Sequence, residues 1–208
     1  LTELGDAFPR LVRVSLYANG SSILAKSADE LRDLQALKLH TLYMGLESGD
    51  AETLRRMRKG ETVNTMVAAA QLAQDCGLRM SVMVLLGLGG CERTLEHAQG
   101  TAEALNVMQP RLLSALRVVP IEGTRLEEEV RSGAFRLLSE YDTVRELRHI
   151  LGSLELTHTV FRANHTSNII PLEGRFPKDR ERLVDELDQE LASGLLDRHS
   201  PGAMPFWL

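Results

Sequence analysis

Short apolar runs mark five stretches of the chain, alternating clearly in the first two, and apolar residues recur at helical spacing in the stretches between them. Residues 11–17 alternate Val12, Val14 and Leu16 with Arg13 and Ser15 and predict a strand. Residues 40–46 set Leu42, Met44 and Leu46 against Tyr43 and Gly45, with no charge until Glu47. Residues 78–86 give the clearest strand, with a single charge, and run into Gly87-Leu88-Gly89-Gly90. Residues 112–119, closed by Pro120, predict a fourth strand, and 158–162 a weaker fifth. Between them, Ser27 and Glu30 form a capping box ahead of a Leu31, Leu34, Leu37 stripe. Asp50 is placed to cap a helix over 50–58 with Gly60 as its stop. Thr62 opens a helix that Gly77 ends, carrying Val63, Met66, Val67, Ala70 and Ala73. Further helices are expected over 94–107, from Thr124 to near Gly133, from Ser139 over 140–154, and over 178–193. Residues 19–22 and 163–168 carry loop chemistry, and 195–208 a tail expected to be mobile.

Strand and helix alternate about four times, which points to an α/β fold with a parallel sheet and right-handed crossovers. A doubly wound sheet and part of a (β/α) barrel both satisfy this pattern. Four to five mostly parallel strands with flanking helices are expected. The boundaries read as a core over 1–133, a helix-strand-helix extension over 134–194 and the tail.

Composition narrows the function classes. Of 208 residues, 43% are apolar and 25% charged, enough for a sizeable core. A net charge of −5 gives no invitation to nucleic acid or an anionic membrane surface. No apolar run reaches the roughly 18 residues of a membrane span, and no signal peptide is visible, so a cytoplasmic protein is expected. Cys76 and Cys91 have neither disulfide-framework nor metal-ligand spacing and read as two reduced thiols.

The chemistry-bearing residues cluster after strands. Glu47, followed by Ser48-Gly49-Asp50, lies at the C-terminal end of a predicted strand beside a helix N-terminus, the edge where parallel α/β folds bind ligands. A carboxylate capping its own loop is the alternative. Lys59 follows twelve residues later; the two could hold a zwitterion, or Lys59 could join Arg55, Arg56 and Arg58 on a solvated face. The glycine run at 87–90 fails the dinucleotide fingerprint, because Glu92 occupies the third glycine position. It leaves a loop needing positive φ, or a bare edge for a flat group. Arg162, His165 and Asn168 follow the last strand, where Arg could clamp a carboxylate and His exchange a proton. No Ser-His-Asp set and no metal cluster emerges from spacing.

Taken together, Tyr43-Met44-Gly45-Leu46-Glu47-Ser48-Gly49-Asp50 with Leu54 and Lys59-Gly60-Glu61-Thr62 resembles the fourth-strand segment of radical S-adenosylmethionine (radical SAM) enzymes. The likeness is to the broad group that includes methylthiotransferases and oxygen-independent coproporphyrinogen oxidases. Val84-Leu85-Leu86-Gly87-Leu88-Gly89-Gly90 with Thr94, His97 and Thr101 resembles the fifth-strand segment, and Leu116-Arg117-Val118-Val119-Pro120 with Gly123-Thr124 the sixth. The resemblance implies a partial (β/α) TIM-like barrel. It implies that Glu47, with Ser48 beside it, bonds the ribose of S-adenosylmethionine and Lys59 the methionyl carboxylate. Leu85, Leu86 and Gly87 would pack on the adenine, and the backbone near Val119 would bond its edge. Substrate contacts would come from Tyr17, Asn19, Arg117, Arg162, His165 and Asn168.

Two departures accompany it. Gly90 stands where the family commonly carries Glu. The Cys-x3-Cys-x2-Cys loop that holds a [4Fe–4S] cluster, and the second-strand Gly-Gly-Glu segment, are both missing. The chain begins at Leu1, with no helix expected before the first strand, so the resemblance implies strands three to six of an Fe–S oxidoreductase core. Its parent would cleave S-adenosylmethionine to a 5′-deoxyadenosyl radical for hydrogen abstraction, and this chain alone would be inactive. A non-catalytic nucleoside- or protein-binding module is the alternative. A part-barrel also exposes its first strand, so self-association through 12–16 is expected.

Overall fold

The structure, a computed structural model, describes residues 1–198. Its elements in chain order are α1 (Thr2–Ala7), β1 (Val14–Tyr17), α2 (Gly20–Leu24), α3 (Ala28–Ala36), β2 (Leu39–Glu47), α4 (Ala51–Arg56), α5 (Val63–Asp75), β3 (Arg79–Leu86), α6 (Gly90–Met108), β4 (Leu112–Arg117), α7 (Arg125–Ser132), α8 (Glu140–Ser153), β5 (Val160–Arg162), β6 (Glu173–Arg175) and α9 (Arg180–Ala192).

The strands form one six-stranded sheet in the order β1-β2-β3-β4-β5-β6. Every pair from β1 to β5 is parallel, and only β5–β6 is antiparallel. That order decides between the two topologies left open above. A doubly wound sheet reverses its winding near the middle; here each strand is laid beside its predecessor without reversal, which is the winding of a barrel. Burial agrees. Leu42, Met44 and Leu46 of β2, Val82, Val84 and Leu86 of β3, and Leu113 and Ala115 of β4 are all buried. Their alternating neighbours Tyr43, Gly45, Met83, Leu85, Ser114 and Leu116 are only half-buried. One face is thus packed under helices through Met66, Ala69, Ala70, Ala73, Ala98, Ala102 and Leu105. Each large side chain sunk there contributes roughly 1.5–3 kcal/mol. The other face is open and makes the concave side of a partial barrel.

The expected helix starts at Ser27, Asp50, Thr62, Thr124 and Ser139 are all N-caps whose side chains accept a backbone N–H. The structure corrects several expectations. A short helix, α1, precedes β1; it buries no residue, so no apolar periodicity announced it. Residues 20–24 form α2 rather than a loop, because Asn19 accepts from the Ser22 N–H and Ile23 is buried beneath it; the same Asn-Gly-Ser-Ser string serves turns and caps. The helix after Asp50 ends at Arg56, and its exit is made by Arg58 at φ 52 rather than by Gly60. α6 begins at Gly90, four residues before Thr94, with a non-helical Arg93 inside it. β1 starts at Val14 and β4 ends at Arg117, both shorter than predicted. The sixth strand, Glu-Gly-Arg, has no apolar alternation and exists by pairing with β5. Residues 199–208 of the expected tail lie outside the described residues.

The outer edge of β1 has no partner strand among the described residues. Tyr17 at its end is 77% exposed, as is Val12 just ahead of it at 83%.

Candidate functional site

Polar side chains gather where β2 ends. The β2–β3 register shifts between Gly45 and Glu47, and Glu47 takes φ 63. A left-handed glutamate is strained by about 1–3 kcal/mol unless its surroundings hold it. Here the Ser48 N–H donates to the Leu46 carbonyl at 2.6 Å, and the turn behind it is fastened at three points. The Asp50 N–H donates to Ser48 Oγ (3.0 Å), the Gly49 N–H to Thr101 Oγ1 (3.0 Å), and Asp50 receives Arg93 through Nε at 2.7 Å and Nη2 at 2.9 Å. The Arg93 guanidinium, aided by Thr53, holds the Asp50 carboxyl well below the usual carboxylate range against the effect of burial.

Fixed in this way, the Glu47 side chain folds back over Gly45. A Cβ at residue 45 would run into Glu47 Oε1. Lys59 swings in after the left-handed Arg58, its N–H on the Leu54 carbonyl, and brings Nζ to 3.8 Å from Glu47 Oε2. The two side chains remain 40% and 22% exposed, so their attraction is loose and solvent-screened. They face a cleft of about 500 Å3 whose lining includes Tyr17, Asn19, Tyr43, Glu47, Lys59 and Glu61. The Tyr17 and Tyr43 rings lie 5.4 Å apart. Glu61 Oε1 accepts from Ser21 N–H (3.1 Å) and Ser21 Oγ–H (2.6 Å), while its buried Oε2 has no partner.

The β3 tip borders the open face. Of the residues implied for adenine, Leu85 is half-buried on that face, Leu86 is buried toward the helices, and Gly87 is buried with φ 79. Val119 is half-buried two residues beyond β4. Ser48 does not line the cleft: its side chain is wholly buried, with Oγ 2.7 Å from His97 Nδ1.

The residues implied for substrate divide into two groups. Tyr17 and Asn19 line the cleft, although Asn19 Oδ1 is engaged as the α2 cap. Arg117, Arg162, His165 and Asn168 sit instead at β4, β5 and the loop after β5. Asn168 Nδ2 stitches that loop to the Ala115 and Ala163 carbonyls, 2.8 Å each, and its buried Oδ1 is unpartnered. His165 Nδ1 lies 2.9 Å from Ser167 Oγ, which accepts the Arg117 N–H at 3.2 Å. Burial lowers the Arg117 guanidinium pKa against the opposing charge of Glu140, and its buried Nε has no partner. Arg162 is exposed on β5.

A polar line that spacing did not reveal runs behind the cleft. Ser48, His97 and Glu146 come from β2's exit, α6 and α8, and their side chains are fully buried. After the Ser48–His97 contact, His97 Nε2 lies 3.5 Å from Glu146 Oε1. Glu146 Oε1 accepts the Gly87 N–H at 2.7 Å, and Oε2 the Thr94 hydroxyl at 2.6 Å. The order serine, imidazole, carboxylate is that of a hydrolase, but no substrate can reach a serine that is 0% exposed. Burial raises Glu146 to about 7 and lowers His97 to about 4, so both favour their neutral forms. The sequence signal was Thr94, His97 and Thr101, three polar residues that share the inner face of α6 with Ala98, Ala102 and Leu105.

The family model described as the Radical SAM superfamily matches residues 2–104. That segment is a radical SAM domain. An uncharacterised protein of Methanocaldococcus jannaschii is 27% identical over 97 residues, 47% of this chain and 30% of that protein. The tRNA uridine(34) acetyltransferase of Methanocaldococcus infernus is 23% identical over 124 residues, 59% of this chain and 23% of the enzyme. The chain thus matches less than a third of the length of either curated relative. The solved structure of an N-terminally deleted Elp3 from Methanocaldococcus infernus superposes with a TM-score of 0.63 at 18% identity, covering 86% of this chain and 42% of Elp3. The two share a fold, a partial TIM-like barrel.

The superfamily implies S-adenosylmethionine and a [4Fe–4S] cluster. The residues present do not fit the cluster. Among the described residues no group of three or more His, Cys, Asp or Glu could hold a metal. Cys76 is buried on the Ala28 carbonyl, and Cys91 donates to the Leu137 carbonyl. The β2 tip does fit S-adenosylmethionine, because Glu47, Lys59 and the orphaned Glu61 oxygen offer two acceptors and a cation in one cleft. No helix of the described residues is long and apolar enough to cross a membrane.

Proposed function

We propose that this chain forms the S-adenosylmethionine-binding side of a radical SAM enzyme of the Fe–S oxidoreductase type. The observation that carries this reading is the meeting of Glu47 and Lys59 in the cleft at the β2 tip, inside the family segment. The Glu47 carboxylate has only the loose Lys59 contact and can accept from two vicinal hydroxyls. Lys59 can neutralise a carboxylate, and Leu85 on the open face offers an apolar shelf to a purine. Reductive cleavage of S-adenosylmethionine to a 5′-deoxyadenosyl radical is the chemistry the bound group supplies to the complete enzyme. In this reading the cluster thiolates come from outside this chain, which alone does not cleave the cofactor.

Calorimetric titration of the chain with S-adenosylmethionine tests it. Glu47→Gln is expected to weaken binding roughly ten- to a hundredfold, the loss of a charge-assisted hydrogen bond. Gly45→Ala is expected to weaken binding as well, with an unchanged melting temperature, because the new Cβ displaces only the flexible end of Glu47. Binding indifferent to both changes, or stoichiometric iron and sulfide on this polypeptide, would contradict the reading.

A second reading, a non-catalytic nucleoside-binding module, is favoured by the lack of a thiolate set. It expects adenosine to bind as tightly as S-adenosylmethionine. The first expects a preference for S-adenosylmethionine that Lys59→Ala removes. In either reading the bare β1 edge is placed to pair with a second copy. Light scattering is expected to give a dimer or larger species, and a clean monomer would dispose of that pairing.

A further inference from the structure

The buried line behind the cleft joins the two strand tips that the proposed function uses. At one end Ser48 Oγ holds the Asp50 N–H and so the turn that aims Glu47. At the other, Glu146 Oε1 holds the Gly87 N–H, directly after Leu85 and Leu86. His97 connects them: its buried Nε2 lies 3.5 Å from Glu146 Oε1, and the Leu85 backbone also faces the imidazole. Glu146 lies in α8, outside the family segment.

Ser48 Oγ accepts from Asp50 on one lone pair and has its own proton free to donate to His97 Nδ1. A neutral His97 then carries its proton on Nε2, facing Glu146. Few other charges intervene. On α8, Asp142 opposes Glu146 ionisation, the adjacent Arg145 pairs with Asp142 at 2.8 Å, and His149 stands a turn away beside the same hollow. On the His97 side the charged neighbour is Asp50, itself paired with Arg93. From the β3 tip only the Gly87 N–H faces the carboxylate. A hollow of about 270 Å3, lined by Thr94, Leu95, Ala98, Arg145, Glu146 and His149, gives protons a route to Glu146 that avoids the cleft.

We propose that Glu146 is a positioning residue of the nucleoside site: one proton shared by Glu146 and His97 sets how firmly the β2 and β3 tips are held together, and thereby how well the cleft binds. Ionised, Glu146 draws in both the Gly87 N–H and the His97 Nε2–H. Protonated, it loosens both. This rests on the reading of the cleft as a nucleoside site, so the test keeps the two separable.

The Gly87 amide of the full chain is followed by NMR from pH 5.5 to 8.5, and S-adenosylhomocysteine binding is measured by calorimetry at pH 6 and pH 8. The Gly87 shift is expected to titrate near neutrality. Affinity is expected to rise about fivefold between pH 6 and pH 8, the change that a one-unit pKa shift on binding would give to a group titrating near neutrality. Glu146→Gln should abolish both, leaving the wild-type pH 6 affinity. If that variant does not fold, the wild-type Gly87 profile and the two wild-type affinities decide together, since a purely structural carboxylate would show neither an inflection nor a pH-dependent affinity. A flat Gly87 profile, an inflection that survives Glu146→Gln, or a titrating Gly87 with equal affinity at both pH values overturns the proposal. A titrating Gly87 with no binding at either pH overturns the nucleoside reading, and the coupling with it, while leaving the shared proton in place.

Discussion

Gly49→Ala is expected to lower the melting temperature by roughly 6–12 °C, the equivalent of about 3 kcal/mol in a domain of this size. The cause is space, since Gly49 does not have positive φ. A Cβ at residue 49 would collide with the Gly100 carbonyl and the Thr101 nitrogen, and both are backbone. From the other side, a Cβ at Gly100 would come within 2.6 Å of the Gly49 carbonyl oxygen. Two glycines therefore let α6 dock directly on the turn behind Glu47, where Thr101 and His97 fasten it. Nothing flexible can give way, so the helix or the turn must move. Gly60→Ala is the control: no atom lies within 4 Å of its added Cβ, and φ is unexceptional, so calorimetry should show almost no change. An equally small effect at Gly49 would mean that α6 and the turn are not locked.

The second large effect is in how stability depends on pH. Unfolded, the Glu146 and His97 pair holds one proton between about pH 4.5 and 6.5, as imidazolium and carboxylate. Folded, burial raises Glu146 to about 7 and lowers His97 to about 4, so the pair again holds one proton over that interval, now as two neutral groups. Proton counts nearly match, and the pair gives the wild type an almost flat profile. Removing one member exposes the other. In His97→Gln, the raised Glu146 contributes stability present below about pH 4.5 and lost as pH rises through about 7, a fall of about 3 kcal/mol. In Glu146→Gln, the depressed His97 contributes stability present above about pH 6.5 and lost as pH falls through about 4, a similar amount with the opposite slope. Urea unfolding of the three proteins at pH 5 and pH 7.5 measures the slopes. Parallel profiles would mean that the two groups do not share a proton in the folded state.

These two effects mark what the sequence could and could not reveal. β2, β3 and β4 were legible because each buries one face, as Leu42, Met44 and Leu46 do at the period the sheet imposes; β1, with no residue buried, was legible only from its β-prone alternation. The helix starts at Ser27, Asp50, Thr62, Thr124 and Ser139 were legible because capping is a local hydrogen bond between near neighbours. Barrel winding was not, because strand order is a long-range property that alternation leaves open. β6 escaped because three residues held by antiparallel pairing carry no periodicity. In the site, Glu47 and Lys59 could be picked out by their places relative to a strand and a helix. The turn that fixes Glu47 could not, because it depends on Thr101, Arg93 and His97, some fifty residues away. Glu146 was the least legible. It resembles any solvated helix carboxylate until α8 packs on α6 and encloses it.

If the β2 and β3 tips form one nucleoside site, an NMR titration of the isotope-labelled chain with S-adenosylmethionine maps it on both tips at once. Saturable shifts are expected at the amides of Gly45, Glu47 and Gly60 and across Leu85, Leu86 and Gly87, with the outer helical layer unmoved. Saturable shifts confined to other surfaces, or none at millimolar ligand, would contradict it and leave Glu47 as a carboxylate that only caps its own turn.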